Sequence, residues 1–291
     1  MSEMLTASQR LDIIRQKGRP TALDYIPMIF DEFFEMHGDR LYGDDGAVIG
    51  GVAAFKGVPV TVIAEVKGRT LEENQRCNFG MPHPEGYRKA LRLAKQAEKF
   101  HRPIICLVDT PGAYPGVEAE QRGQGEAIAR NIMEFMMLRT PIISIVMGEG
   151  GSGGALALAV CDELAMLENS LYSVISPKGF ASILWKDASR EREACDIMKI
   201  TAEDLVKLGV CDKIIPEADG GAHNDPQLTA ENISDYISES LQNLQIKFKK
   251  GLDEMINSRY NKFRVVGDFD EFPHSDTQQA QDTADTTGAD A

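Results

Sequence analysis

Two stretches of the chain share one hydrophobic pattern, in which an apolar run meets a glycine-rich turn and an apolar helix follows. The first covers residues 103–116 and the second covers residues 141–160. Each run has the length of a buried strand, and Gly or Pro residues mark its end. Two such units in succession predict adjacent parallel strands with both turns at the same edge of a sheet, which is where open α/β folds bind ligands.

The periodicity of the remaining chain predicts further helices and strands. A stripe of apolar residues, from Leu23 to Phe34, predicts a helix over residues 22–36, and residues 67–84 lack a regular pattern and are predicted to form a loop. The other predicted helices cover 5–17, 85–100, 117–138, 187–200, 202–208 and 229–260, with one more starting at Pro177; the other strands cover 48–55, 58–66, 164–167, 172–175 and 213–215.

No low-complexity linker interrupts the first 260 residues, so one domain is predicted. Its expected boundaries are an N-terminal helical segment over 1–20, a main domain over 21–264 and a tail over 265–291. Seven acids and no Lys or Arg lie in residues 267–291, and they supply half of the net charge of −14. The tail is therefore predicted to be disordered, and the mildly acidic remainder does not indicate nucleic-acid binding.

Composition excludes several classes of protein. The 43% apolar content supports a sizeable core, while the apolar runs are too short to span a bilayer. The N-terminus has no apolar signal-peptide core, so the expectation is a cytoplasmic protein without a membrane partner. Five scattered cysteines without a CxxC pair argue against disulfides and against a structural zinc, so no metal is expected in this chain.

The glycine-rich turn of the second unit is the main candidate for chemistry. Five of the seven residues from Gly148 to Gly154 are glycine, so their main-chain amides are open to a ligand. The helix that follows adds the positive end of its dipole. The expected guest is an oxyanion or a phosphate.

Three interpretations of this turn are open. GEGGSG fits the GxGxxG dinucleotide fingerprint with Glu168 about 20 residues later, although such units usually begin a domain. GGSGG fits the nucleophile elbow of a serine acyl hydrolase that would use Ser152, Asp187 and His223. Against the elbow, Ser152 lies five residues past Met147, where the strand is expected to end. The third interpretation is an oxyanion hole made of main-chain amides from both turns, which needs no side-chain nucleophile.

Longer motifs support the third interpretation through a family resemblance that extends from about Thr21 to Arg264. The chain resembles the carboxyltransferase alpha subunit of bacterial acetyl-CoA carboxylase. The motifs that carry the resemblance are IGG at 49–51, NFGMPHPEGYRKALRLAKQAEKF at 78–100, DTPGAYPG at 109–116, GEGGSGGALA at 148–157, YSVISPKGFASILW at 172–185 and GGAH at 220–223.

This resemblance implies a fold, a reaction and several partners. The fold would be the crotonase-like (ClpP/crotonase) α/β fold of repeated ββα units in a single domain. The reaction would transfer a carboxyl group from carboxybiotin, held on the biotin carboxyl carrier protein, to acetyl-CoA, giving malonyl-CoA for fatty acid synthesis. The partners would be a beta subunit that carries a zinc ribbon, in an α2β2 assembly, and the biotin carboxylase.

The resemblance also implies which residues form the site. The proton acceptor could be the biotin ureido nitrogen itself, so no protein base is needed. The implied oxyanion hole consists of main-chain amides of Gly112, Ala113, Gly150, Gly151, Gly153, Gly154 and Ala155. The implied substrate-binding residues are Tyr114, Ser176, Pro177, Arg69, Arg76 and Arg88.

Overall fold

Two parallel strands at the centre of a mixed sheet are formed by the two apolar runs. In the computed structural model, which describes residues 5–249 and 251–267, these strands are β4 (Ile104–Thr110) and β5 (Ile142–Gly151). They pair in parallel from Ile104↔Ile142 to Val108↔Val146. Both carboxyl ends therefore lie at the same edge of the sheet, which confirms the prediction.

Six further strands extend this sheet within the described residues. They are β1 (Glu32–Glu35), β2 (Val48–Phe55), β3 (Val58–Glu65), β6 (Glu163–Leu167), β7 (Leu171–Ser173) and β8 (Lys213–Ile215). The order is β1-β2-β3-β4-β5-β6-β8, and β7 pairs with the carboxyl end of β5. The β1–β2 and β2–β3 pairs are antiparallel and the other pairs are parallel.

Helices cover both faces of the sheet, which is why β4 and most of β5 are buried along their length. Helices α2 and α11 pack on one face, and α4, α6, α7 and α10 pack on the other. The helices are α1 (Ala7–Ile14), α2 (Ala22–Ile29), α3 (Leu71–Arg76), α4 (Pro84–Lys99), α5 (Val117–Gln121), α6 (Gln124–Met137), α7 (Ser152–Ala159), α8 (Pro177–Leu184), α9 (Glu191–Ile197), α10 (Ala202–Lys207), α11 (Pro226–Phe248) and α12 (Leu252–Arg264). Across the described ranges, no helix combines the length and apolar character that a bilayer span requires.

The helix predicted over residues 22–36 is wrong in its second half. Helix α2 ends at Ile29, Phe30 is extended, and Phe33 and Phe34 belong to β1. A Cβ built on Gly51 would lie 2.0 Å from the carbonyl oxygen of Phe34, so β1 approaches β2 where only a glycine fits. Pairing with the edge of β2 therefore outweighs the local helical period of the apolar residues.

Two other predicted helices are each broken at a glycine. The helix predicted over 117–138 is divided into α5 and α6 at Gly123, whose φ is +84°. The helix predicted over 229–260 is divided into α11 and α12 at Gly251, whose φ is +134°. Left-handed backbone of this kind ends a helix and favours glycine. The predicted loop over 67–84 contains α3 and a short 3₁₀ turn, Asn78–Gly80.

The N-terminal segment packs on the main domain. Leu11 and Ile14 of α1 lie in one apolar cluster with Leu171, Cys195 and Ile200. The boundaries proposed at residues 20 and 264 remain predictions. The tail predicted to be disordered lies, from Asp268 onwards, outside the described residues.

A buried arginine anchors the last helix to the sheet. Arg259 of α12 is 1% exposed, and its Nε and Nη2 donate to the two carboxyl oxygens of Asp162 at 2.9 and 2.8 Å. It also donates to the carbonyl oxygens of Phe135, Leu138 and Thr140. One side chain therefore joins α12, the end of α6 and the two segments that precede β5 and β6.

We expect Arg259→Met to lower the free energy of unfolding by about 3–5 kcal/mol, because Asp162 would remain buried without its cation. Urea unfolding measures the change. Arg130→Met, in an exposed ion pair on α6, is the control and should cost less than about 0.5 kcal/mol. Equal effects of the two substitutions would contradict the buried-anchor interpretation.

Candidate active site

The carboxyl ends of β4 and β5 touch at two glycines. A Cβ built on Gly151 would lie 2.2 Å from the carbonyl oxygen of Pro111, and one built on Gly154 would lie 2.7 Å from the nitrogen of Ala113. Real side chains do not approach other atoms so closely. The turn after β4 and the start of α7 can therefore meet only because both positions are glycine.

The first half of the glycine run is strand rather than turn. Strand β5 continues to Gly151, and Gly150 pairs with Thr110 on one side and with Tyr172 on the other. The expectation that the strand ends at Met147 is therefore wrong. The dinucleotide interpretation fails with it, because Gly148 lies within β5 and does not form the tight turn that the fingerprint needs.

Some main-chain amides of the two turns are engaged, which means that they donate a hydrogen bond within the protein, and others are open. The Gly112 amide donates to Thr110 Oγ1 at 3.0 Å, whereas the Ala113 amide has no hydrogen-bond partner among the described residues. Helix α7 begins at Ser152 without a side-chain cap, so the amides of Ser152, Gly153 and Gly154 precede its first internal hydrogen bond.

The implied hole residues are thus brought to one place, with different roles for their amides. Ala113 and Gly154 are in contact, and the Ala155 amide faces the carbonyl of Gly151 within the helix. Gly150 and Gly151 belong to the strand that positions these groups. The open donors are those of Ala113 and of the first turn of α7.

Ser152 directly follows β5 and has a φ of +51°. The objection that it lies too far beyond its strand for a nucleophile elbow is therefore wrong. The serine hydrolase is unsupported for another reason, because no hydrogen bond joins Ser152 to His223 or Asp187 among the described residues. Asp187 instead accepts from Ser189, and the buried Nδ1 of His223 has no partner there.

The implied substrate-binding residues flank the turns on two sides. Ser176 and Pro177 line a small crevice with Pro111, Gly150 and Gly151, and Ser176 caps α8 by accepting from the amide of Gly179 at 3.1 Å. On the other side Tyr114 stacks on His83, with ring centroids 4.2 Å apart. The Tyr114 amide donates to the carbonyl of Pro82 at 3.0 Å, which fixes the far end of the turn.

The three implied arginines differ in whether an acidic side chain pairs with their guanidinium group. Arg88 is half-buried and donates to Asp39 and Glu85 at 2.8 and 2.9 Å. Arg69 pairs with Asp24 and with Glu73, each at 3.1 Å. Arg76 is exposed and has no ion-pair partner in the described ranges. Of the three, Arg76 is the one that retains a free charge.

A cluster of charged side chains lies beneath the turns. Lys67 Nζ is 2.9 Å from Asp109 Oδ1 and 2.8 Å from Glu149 Oε2. Burial alone would lower the pKa of Lys67, but Asp109 and Glu149 raise it above its ordinary value. The sequence patterns did not predict this cluster, although Asp109 and Glu149 each lie two residues before a contact point of the turns.

Two buried polar side chains near the same edge of the sheet lack hydrogen-bond partners among the described residues. Both carboxyl oxygens of Glu65 and the hydroxyl of Tyr87 lack a hydrogen bond among the described residues, and both residues are 0% exposed. The Tyr87 hydroxyl lies 2.8 Å from the Cβ position of Gly154. Burial, with a smaller contribution from Asp109, raises the pKa of Glu65 well above its ordinary value, which favours the neutral form of this carboxyl group.

Two cavities differ in their relation to this edge. One of about 620 Å³ is lined by Lys67, Asp109, Pro111 and Glu149, so it adjoins the turns. Another of about 670 Å³ is lined by Pro103 and Pro141, which precede β4 and β5, so it lies at the opposite edge. Within the described part of the chain, no group of three His, Cys, Asp or Glu residues could hold a metal ion.

The family model described as acetyl co-enzyme A carboxylase carboxyltransferase-like matches residues 1–267. The chain belongs to this family. It is 60% identical over 268 residues to the acetyl-coenzyme A carboxylase carboxyl transferase subunit alpha of Clostridium acetobutylicum, covering 92% of this chain and 97% of that protein. It is 55% identical over 269 residues to the subunits beta/alpha of the Clostridium tetani enzyme, covering 92% of this chain and 46% of that protein.

Solved structures confirm the crotonase-like fold predicted for this family member. The transcarboxylase 12S structure with methylmalonyl-coenzyme A and methylmalonic acid bound superposes with a TM-score of 0.63 at 18% identity. The match covers 83% of this chain and 45% of that one, so this chain spans about half the length of that protein. At this level of identity the likeness concerns the fold.

The raised pKa of the buried Glu65 gives a pH-dependent prediction. Because the folded-state pKa of Glu65 is raised, its contribution to stability is fully present below the unfolded pKa and is lost as the pH rises towards the folded pKa. We therefore expect Glu65→Gln to be more stable relative to the unsubstituted protein at pH 8 than at pH 5.

Urea unfolding at both pH values measures this difference. Glu120→Gln, at an exposed position of α5, is the control and should show no such trend. A Glu65→Gln effect that is the same at pH 5 and pH 8 would contradict a neutral buried carboxyl group.

Proposed function

We propose that this chain is the alpha subunit of an acetyl-CoA carboxyltransferase, which moves a carboxyl group from carboxybiotin to acetyl-CoA and forms malonyl-CoA. Family membership and the 60% identical relative of that name support the proposal. The observation that carries it is the contact between Ala113 and Gly154, where open main-chain amides of two strand ends meet. This arrangement suits a reaction in which negative charge develops on one carbonyl oxygen.

In the proposed reaction the main chain performs the electrostatic work. Loss of the carboxyl group leaves negative charge on the ureido oxygen of the substrate. The amides of Ala113, Gly153 and Gly154 would donate to that oxygen, and α7 would add the positive end of its dipole. Loss of one such donor typically raises a barrier by about 2.7–4 kcal/mol.

No protein base is required on this side of the site. The ureido nitrogen of biotin would accept the proton of the acetyl group once the carboxyl group has left. This role fits the absence of any histidine bonded to Ser152 among the described residues. The enolate of acetyl-CoA would be held by a second oxyanion hole on the partner subunit.

The proposed partners are a beta subunit with a zinc ribbon, in an α2β2 assembly, the biotin carboxyl carrier protein and the biotin carboxylase. Support for the beta subunit comes from the Clostridium tetani protein, whose name joins beta and alpha and of which this chain matches 46%. The assembly would act in the cytoplasm. Tyr114, Ser176 and Pro177 would line the substrate path, and Arg76 would supply a cation to the CoA phosphates.

The first test asks whether the site is divided between two chains. Malonyl-CoA-dependent carboxylation of free biotin is measured with this chain, with its cognate beta subunit and with the mixture. We expect activity only in the mixture, because the second oxyanion hole is proposed to lie on the beta subunit. Activity of this chain alone would contradict the division, and an inactive mixture would overturn the proposed reaction.

The second test concerns the contact between the turns. Gly151→Val and Gly154→Val should each lower kcat by at least about a hundredfold, because a side chain at either position separates the donors. Gly125→Val is the matched control, since a Cβ at this exposed position of α6 meets nothing within 4 Å. Circular dichroism and size-exclusion chromatography report whether each variant is folded and assembled.

Ser152→Gly separates this mechanism from a serine hydrolase. Glycine adopts the positive φ of this position without strain, so the substitution removes the hydroxymethyl side chain without disturbing the backbone. The variant should retain most of its transfer activity. A loss above about a thousandfold would instead indicate a nucleophilic serine.

A further inference from the structure

We propose that Lys67 is a positioning residue for the main-chain oxyanion hole. Lys67 would hold the carboxyl ends of β4 and β5 at the spacing that lets the open amides converge on one oxygen. The inference rests on the proposed carboxyl transfer and deepens it. It assigns a role to a side chain that takes no part in the chemistry itself.

The first observation is an irregularity in the pairing of β4 with β5. Val108 pairs with Val146, but the next pair is Thr110 with Gly150. Asp109 therefore lies opposite the three residues Met147 to Glu149. In a bulge of this kind the regular ladder is interrupted, so ladder pairing does not fix Asp109 against Met147 to Glu149, although it resumes at Thr110 and Gly150.

The charged cluster spans this interruption. Asp109 Oδ1 accepts the Glu149 amide at 3.0 Å and lies 2.5 Å from the Cβ position of Gly148, so the carboxylate fills the bulge. Lys67 Nζ then bridges Asp109 and Glu149 at 2.9 and 2.8 Å. One ammonium group thus joins the two strands that carry the turns, and it comes from the segment after β3, which pairs with β4.

Lys67 also supports the turn after β4 through its aliphatic part. A Cβ built on Gly80 would lie 2.7 Å from Lys67 Cγ, so the lysine stem packs directly on Gly80. The carbonyl of Gly80 lies 2.6 Å from Thr110 Oγ1, which in turn accepts the Gly112 amide at 3.0 Å. These contacts lead from Lys67 to the residue that precedes Ala113.

The surrounding charges cannot replace the lysine. Arg15, at the end of α1, reaches Glu149 at 3.4 Å, but it is half exposed and also pairs with Glu191 at 3.1 Å. Arg19 acts on Asp109 only at longer range and is paired with Glu217 at 2.6 Å. Glu65, which also interacts with Asp109, is an acid whose raised pKa favours its neutral form, so it supplies no positive charge. Without Lys67, two half-buried carboxylates would repel each other across the bulge.

The test is the Lys67→Met variant, assembled with the beta subunit and assayed by malonyl-CoA-dependent carboxylation of free biotin. We expect kcat to fall by about a hundredfold, the typical cost of misplacing catalytic groups by about 1 Å. The KM values for malonyl-CoA and biotin should change much less. Lys95→Met removes a lysine that pairs with Glu134 on the exposed side of α4, and this control should leave kcat unchanged.

The pH profile distinguishes positioning from a general loss of structure. In Lys67→Met, a proton taken up by Asp109 or Glu149 would form a hydrogen bond between the two carboxyl groups and restore part of the bridge. The kcat of this variant should therefore rise relative to that of the unsubstituted enzyme as the pH falls from about 8 to about 6, where a paired carboxyl group with a raised pKa takes up a proton.

A second variant tests the positioning role of Lys67 without relying on a change of pH. In Lys67→Met/Asp109→Asn, the Asn amide can donate to Glu149 while its oxygen keeps the bond to the Glu149 amide. We expect this variant to regain at least about tenfold of the lost kcat, at every pH in the same range, because the bridge is rebuilt without charge.

The outcomes separate this inference from the proposed function. Unsubstituted protein that is inactive with the beta subunit overturns the function. Active unsubstituted protein combined with normal kcat in Lys67→Met overturns the positioning role, and so does a loss that neither low pH nor Asp109→Asn relieves. If Lys67→Met does not fold, Glu149→Ala removes the acceptor at the other end of the same bridge, and an unchanged kcat in that variant overturns the inference.

Discussion

The structure depends on a contact between two backbone segments that leaves no room for side chains. The carbonyl of Pro111 fills the space beside Gly151, and the amide of Ala113 fills the space beside Gly154. This approach is possible only because β4 and β5 are adjacent and parallel, so that both turns form at one edge. Helices on both faces keep these strands buried, and the buried Arg259 fixes the segments that precede β5 and β6. The fold as a whole therefore holds a few main-chain amides in place.

A site made of main-chain amides needs support that a regular sheet does not supply. The bulge between β4 and β5 interrupts the ladder between the Val108–Val146 and Thr110–Gly150 pairs, just before the strands end. The carboxylates of Asp109 and Glu149 then occupy the gap, and Lys67 neutralises them. Burial strengthens such charge pairs and makes an unpaired member costly. The same three side chains also line the cavity that adjoins the turns.

The same geometry explains why two familiar motifs occur in the glycine run without their usual functions. A dinucleotide fingerprint needs its first glycine in a tight turn, but Gly148 is paired within β5. A nucleophile elbow needs a serine after a strand, and Ser152 satisfies that condition with its positive φ. It also needs a histidine on the serine, and none is bonded to Ser152 among the described residues. Short motifs specify backbone shape, whereas function follows from the groups that surround that shape.

The sequence by itself determined the family, the parallel pair β4–β5 and the hairpin of β2 and β3, because these follow from apolar periodicity, glycine positions and long motifs. It could not determine that β5 continues to Gly151, that Phe33 and Phe34 form β1, or that the Gly112 amide is engaged while the Ala113 amide is open. It also gave no sign that Lys67, Asp109 and Glu149 meet. Each of these depends on hydrogen bonds or ion pairs between residues distant in the chain, which compete with local preference and are decided only when the sheet assembles.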